Sequence, residues 1–249
     1  MARAASTKKS IPFTESCLRI AVPMTDAVEL RVDVGASVTV SALLIRPQVS
    51  RSLLVLAHGA GAGMRHPFMN ALSAELARVG VATFRYQFPY MEDRRRVPDS
   101  PQVLTATVAA AVRTAAEEAP GLPVLAGGKS MGGRMTSQAA AEGLLQGARG
   151  IVFYGFPLHP PNKPAIKRAD HLARVRIPML FLQGTRDELA DLELLRPITG
   201  KLGPLATLQI IEGADHGFHV LKKSGTTDAE VLRALAEATT KWADAPSAK

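Results

Sequence analysis

Cysteine is nearly absent from this 249-residue chain, with Cys17 as its single example. No intramolecular disulfide can form, no cysteine-rich zinc cluster can assemble, and a reducing, cytoplasmic setting is expected. Aromatic residues make up 5% of the sequence, too few for the stacking platforms that hold single-stranded nucleic acid. Long apolar runs are also missing. The best of them, such as Leu53 to Ala57, have strand length and fall far short of the roughly 18 residues a membrane-spanning helix needs. No membrane partner is therefore expected. Met1 to Ser10 lacks acidic side chains and an apolar core, so it reads as a flexible arm and not as a secretory signal. Acidic residues are outnumbered, 22 against 30 Lys and Arg, which leaves a net charge of +8. Such an excess suits an anionic ligand, although nucleic acid is not the expected partner of so aromatic-poor a chain.

What is present has globular proportions: 47% hydrophobic residues, 20 glycines and 17 prolines. No repeat, low-complexity tract or linker divides the chain, and residues 11–245 read as one domain. After residue 50, short apolar runs alternate with helix-period segments, the pattern of parallel strands joined by covering helices. Strands are expected at Leu53 to Ala57, Val81 to Tyr86, Pro123 to Gly127, Gly150 to Tyr154, Ile177 to Gln183 and Ala206 to Glu212. Met69, Leu72, Leu76 and Val79 share one helical face, and a helix should run from about Met131 to Leu145. Ser100-Pro101 supplies an N-cap and first-turn proline, and Thr227 with Glu230 has capping-box spacing. Before residue 50, alternation in Val28 to Val34 and Val38 to Ile45 around Gly35-Ala36-Ser37 predicts an antiparallel hairpin. The segment 155–176 is rich in proline and basic residues and reads equally as a small lid or a solvated crossover.

Gly128-Lys129-Ser130-Met131-Gly132 fits Gly-x-Ser-x-Gly and falls between an expected strand and helix. A turn of that kind lifts the serine hydroxyl above a sheet, and larger residues flanking it would collide with neighbouring backbone. Ser130 is the candidate nucleophile. Gly128-Lys129-Ser130 also resembles the end of a phosphate-binding loop, but the position where that loop begins with glycine holds Pro123, which has no amide to donate. A serine needs a base, and the base a carboxylate that orients it. Asp187 follows the strand ending at Gln183, and His216 follows the strand ending at Glu212, so both should stand at the carboxyl edge of the sheet with Ser130. Glu188 or Asp191 could take the acid role instead of Asp187, and His219 competes with His216. His66, His159 and His171 read as surface or substrate-side groups. The glycine-rich loop His58-Gly59-Ala60-Gly61-Ala62-Gly63 follows the first core strand. From it the Ala60 amide would join that of Met131 as an oxyanion donor, with His58 bracing the loop.

Together, Val55 to Gly61, Arg85 to Met91, Gly127 to Arg134, Gly184 to Asp187 and Asp215-His216 resemble the dienelactone-hydrolase-like branch of the α/β-hydrolases. Within that branch they are most similar to the KANL3/Tex30-type family, over roughly Leu53 to Trp242. The resemblance implies an α/β-hydrolase fold: a mostly parallel sheet, an N-terminal antiparallel hairpin, helices on both faces and a minimal lid. The set Ser130, His216 and Asp187 itself points to a serine hydrolase that cleaves a small soluble ester, thioester or related acyl substrate through an acyl-enzyme, and it calls for no metal or organic cofactor. Dienelactone hydrolases use a cysteine nucleophile where this chain has serine, so their substrate does not transfer. The KANL3/Tex30-type group includes a chromatin-complex subunit, which sets a non-catalytic scaffold with a basic surface beside the enzyme. Arg94, Arg95 and Arg96 follow a strand's carboxyl end and are expected, with Lys163, Lys167 and Arg168, to rim the serine site and favour an anionic acyl substrate.

Overall fold

The computed structural model describes residues 26–35 and 37–245; the expected N-terminal arm and Cys17 lie outside them. Eight strands form one sheet: β1 (Val28–Gly35), β2 (Val38–Ile45), β3 (Ser52–Ala57), β4 (Val81–Tyr86), β5 (Val124–Lys129), β6 (Ala148–Tyr154), β7 (Met179–Gly184) and β8 (Ala206–Ile211). Their spatial order is β1-β2-β4-β3-β5-β6-β7-β8. The β1–β2 and β2–β4 pairs are antiparallel and all others parallel. The expected hairpin and the parallel strands after it are both present.

Among the described residues six α-helices flank the sheet: α1 (Pro67–Arg78), α2 (Pro89–Glu92), α3 (Pro101–Glu118), α4 (Met131–Ala141), α5 (Leu192–Lys201) and α6 (Asp228–Ala243). The strand β3 is buried at all six positions, because helices cover both sides of it. Its Val55 and Ala57 pack with Leu104 and Val108 of α3 and Met135 of α4. Leu54 and Leu56 point the other way, to Leu72 and Leu76 of α1 and Leu235 of α6. Period-2 alternation within a uniformly apolar strand thus feeds two separate cores.

Local signals set the helix ends. Ser100 caps α3 ahead of Pro101, and Thr227 and Glu230 form the reciprocal capping box of α6. The helix after the serine turn ends at Ala141, four residues before the expected Leu145. Gly143 turns left-handed there, and the Leu144 amide returns to the Ala139 carbonyl, closing the helix. The short α2 lies between β4 and Arg94 to Arg96. Pro89 starts it, and Glu92 anchors it by accepting from the Ser41 amide and hydroxyl of β2.

Residues 155–176 resolve as a packed crossover that includes a 3-10 stretch, Lys167–Arg174. Phe156, Leu158, Leu172 and Val175 are buried against Phe153, Phe181 and Leu195. Burial of this kind ties the segment to the sheet. His159 and His171 correct the expectation of surface groups. His159 is buried, and its Nε2 accepts from the Asp191 amide; the His171 Nε2 meets Ser137 Oγ at 2.7 Å.

Candidate active site

The chain reverses its winding direction between β3 and β5, which are neighbours in space, and a crevice opens there at the carboxyl ends of the strands. Ser130 sits at the tip of β5 with φ 51° and ψ −119°, a sparsely populated conformation for a residue with a side chain. The turn is held from both sides. The Ser130 amide donates to the Tyr154 carbonyl, and its own carbonyl accepts from Arg134 in α4. Neighbouring backbone leaves no room for side chains around it. A Cβ at Gly128 or Gly132 would lie 2.5 Å from the Ala57 carbonyl oxygen.

The three dispersed residues meet. His216 Nδ1 donates to Asp187 Oδ2 at 2.7 Å, which leaves Nε2 to accept from Ser130 Oγ at 2.8 Å. The Asp187 side chain is 1% exposed and that of His216 25%. Oδ1 of Asp187 accepts from the Leu189 amide, and Oδ2 accepts also from Nε2 of Gln183. Gln183 is fully buried, with its Oε1 taken by the Phe156 amide, so both ends of its amide are used. Of the rival residues, Glu188 is exposed and the other two have partners of their own. Asp191 caps α5, and His219 pairs with Asp228 at 2.7 Å.

Gly59 packs against Ser130, its position for a Cβ lying 3.7 Å from the serine Cβ. Ala60 follows it and lines the same cavity as Ser130, and its amide donates to no group among the described residues. Met131 opens α4, where no preceding helical carbonyl is available to its amide. His58 braces this loop as expected. It is fully buried, with Nδ1 on the Gly59 carbonyl and Nε2 accepting from the Phe88 amide. Burial lowers its pKa to about 4, keeping the ring neutral. Three further bonds tie the loop to β4 and the segment after it. Tyr90 Oη accepts from Gly61, Gln87 Oε1 accepts from Met64, and Arg85 donates to the Met64 carbonyl.

Residues 50–244 match the profile of a family described as an alpha/beta hydrolase domain. The chain belongs to this family. Among solved structures, the alpha/beta hydrolase domain here is similar to dienelactone hydrolase from Anabaena variabilis, with 22% identity, TM-score 0.69, and coverage of 88% of this chain and 97% of that one. It is also similar to an α/β serine hydrolase without a lid from Xanthomonas campestris, at 18% identity, TM-score 0.70 and coverage of 89% and 97%. A third is Est1E from Butyrivibrio proteoclasticus, at 17% identity, TM-score 0.65 and coverage of 87% and 99%. These likenesses show a shared α/β-hydrolase fold.

The cavity that holds Ser130 and His216 in this alpha/beta hydrolase domain measures about 760 Å³. Met69, Phe68, Phe218, Leu189 and Leu232 give it a largely apolar wall. Arg94, Arg95 and Arg96 do not reach it, which corrects the expected cationic rim. Arg94 lines a separate hollow with Arg31, Ser41 and Glu92; Arg95 is bonded to Asp93 and Asp99; and Arg96 is exposed. The cause is α2, which the Glu92–Ser41 bonds draw to the β2 side, away from β5. Lys163, Lys167 and Arg168 line no part of the cavity either.

Among the described residues the one lysine or arginine that lines the cavity is Lys129, the residue before Ser130. Its side chain is buried, and Nζ donates to the His216 carbonyl. Neither Lys129 nor Gln183 had been given a role from the sequence. The available signal was a lone polar residue at or next to the end of an otherwise apolar strand, Lys129 on β5 and Gln183 on β7. Among the described residues no helix is long and apolar enough to cross a membrane.

Proposed function

We propose that this protein is a serine hydrolase of the carboxylic-ester type. The reading is carried by the two hydrogen bonds that join Asp187 to His216 and His216 to Ser130, at 2.7 and 2.8 Å. Ser130 Oγ attacks an acyl carbonyl while His216 Nε2 takes its proton; Asp187 holds the imidazole and offsets the charge it gains. The amides of Ala60 and Met131 meet the oxygen as it becomes negative. The tetrahedral species collapses, His216 returns the proton to the leaving alcohol or thiol, and a Ser130 acyl-enzyme remains. Water then attacks with His216 again as base, releasing the acid and freeing Ser130.

The apolar wall of the cavity supports a substrate whose acyl part is uncharged and aliphatic or aryl, fastened to a small leaving group. An anionic acyl group, favoured by composition, finds no free arginine there. The elbow with Lys129 and the segment Phe84 to Met91 support placement in the KANL3/Tex30-type group. The lone cysteine supports a cytoplasmic setting.

A fluorophosphonate probe tests the reading. It should label the native protein at Ser130 and leave a folded Ser130→Ala variant unlabelled. Absence of labelling in well-folded native protein would favour the scaffold reading.

A further inference from the structure

Lys129 is a lysine in an expensive place. Its side chain is 9% exposed at the end of a fully buried strand, where a lysine is rarely found without a paired carboxylate. Among the described residues no carboxylate lies within ion-pair distance of it. Nζ instead sits 5.8 Å from the ring centre of Phe68 and 5.4 Å from that of Phe218, two rings that stack on each other. A cation at this range is attracted to an aromatic face. Its hydrogen bond goes to the main-chain carbonyl of His216.

The surroundings are crowded with the groups that the reaction would use. A Cβ placed on Gly155 would lie 3.2 Å from Lys129 Nζ, 3.4 Å from Asp187 Oδ2 and 3.4 Å from His216 Nδ1. Those three atoms therefore converge on one point. The charged or titratable groups facing Lys129 are Asp187 from the loop after β7 and Asp215 and His216 from the loop after β8. His66, His219 and Asp228 line the same cavity. Packing alone would be met by methionine, which fills the same length without desolvating a charge. A donor is needed only if the carbonyl it holds must stay in place.

We propose that Lys129 is a positioning residue: its ammonium fastens the backbone of His216 to the strand that ends in Ser130, and so keeps the imidazole aimed at the serine hydroxyl. His216 lies on a loop 86 residues from Ser130 in sequence, and the Lys129 bond is a direct tether between the two segments. The inference rests on the hydrolase reading for its kinetic consequence and on geometry for the tether itself.

Lys129→Met in the full chain tests it by two readouts. Removing the tether should slow fluorophosphonate labelling of Ser130 and lower kcat on a p-nitrophenyl ester by about 10- to 100-fold, as expected for a misplaced reacting group. KM should change by less than about threefold, since the cavity wall is kept. In proton NMR spectra, the far-downfield signal of the His216 Nδ1–H bonded to Asp187 should be sharp in the native protein and broadened or lost in the variant. A folded Lys129→Met protein with native labelling rate and an unchanged signal would overturn the proposal. If Lys129→Met does not fold, Lys129→Arg decides: it keeps an N–H donor for the His216 carbonyl and should retain the downfield signal and most of the labelling rate. Loss of both in folded Lys129→Arg protein would overturn the tether. Native protein that resists labelling sinks the hydrolase reading alone, because the NMR signal continues to report on Lys129.

Discussion

The hydroxyl of Tyr90 accepts the amide of Gly61 at 3.1 Å. Residues from Arg85 to Tyr90 thus hold the loop that offers the Ala60 amide, together with Gln87 on Met64 and the Phe88 amide on His58. Tyr90→Phe keeps the ring and removes this acceptor. It should lower kcat by about tenfold, less than the 10²- to 10³-fold loss of an oxyanion donor itself, with KM nearly unchanged. Steady-state kinetics on a p-nitrophenyl ester checks it, and an unaltered kcat would mean that the loop holds its shape without Tyr90.

The order of Ser130, Asp187 and His216 along the chain was enough to foresee their meeting. Ser130 and Asp187 follow buried runs and His216 follows the alternating edge strand β8, and parallel strands deliver their next residues to one edge. The mostly parallel sheet and the N-terminal hairpin were legible for the same reason, through runs and alternation. Side-chain direction was not. In a strand buried on both faces, such as β5, no polar alternation tells which way Lys129 points. Arg94 to Arg96 follow β4 as expected, but the four-residue α2 and its Glu92 anchor turn them to the far side of the loop. His159 lies in a segment whose prolines and lysines suggest solvent. The ring serves as acceptor for the part-buried backbone amide of Asp191, and no composition shows that.

Ser130 separates activity from strain. Ser130→Ala should lower kcat on the order of 10⁴- to 10⁶-fold, as loss of a triad nucleophile does elsewhere. Its φ of 51° penalises any Cβ. Glycine escapes that penalty of about 1–3 kcal/mol, though it costs roughly 0.4–1 kcal/mol through the unfolded chain. Ser130→Gly should therefore melt no lower than Ser130→Ala, the reverse of the usual order for these two residues. Thermal unfolding of both variants decides it, and a clearly lower Tm for glycine would show the turn to be unstrained.

Acid should destabilise the protein through two histidines that fold neutral. Burial lowers the pKa of His58 to about 4, and that of His171 to about 4 with help from Arg134 and Arg174. The unfolded chain binds protons at both rings near the ordinary value of about 6.5, while the folded chain does not until about pH 4. More protons on the unfolded side make stability rise with pH in that window, and fall as pH drops through it. Urea midpoints measured from pH 7 to pH 4 should decline, and the decline should be shallower in His171→Gln. An equal slope in the variant would remove His171 from the account.

Substrate preference should follow the cavity wall and ignore the three arginines. Each methylene buried against Phe218, Leu189 and Leu232 is worth up to about 0.8 kcal/mol, close to fourfold in kcat/KM. Rates on p-nitrophenyl esters should rise from acetate towards hexanoate until the cavity is filled. Leu232→Trp narrows the space and should cut the longer chains while sparing acetate. Replacing Arg94, Arg95 and Arg96 together by alanine should leave kcat/KM within about twofold on neutral and anionic esters alike, since exposed charges at a distance are screened by salt. A selective loss on the anionic ester would return those side chains to the site, and would require the loop after β4 to swing towards Ser130.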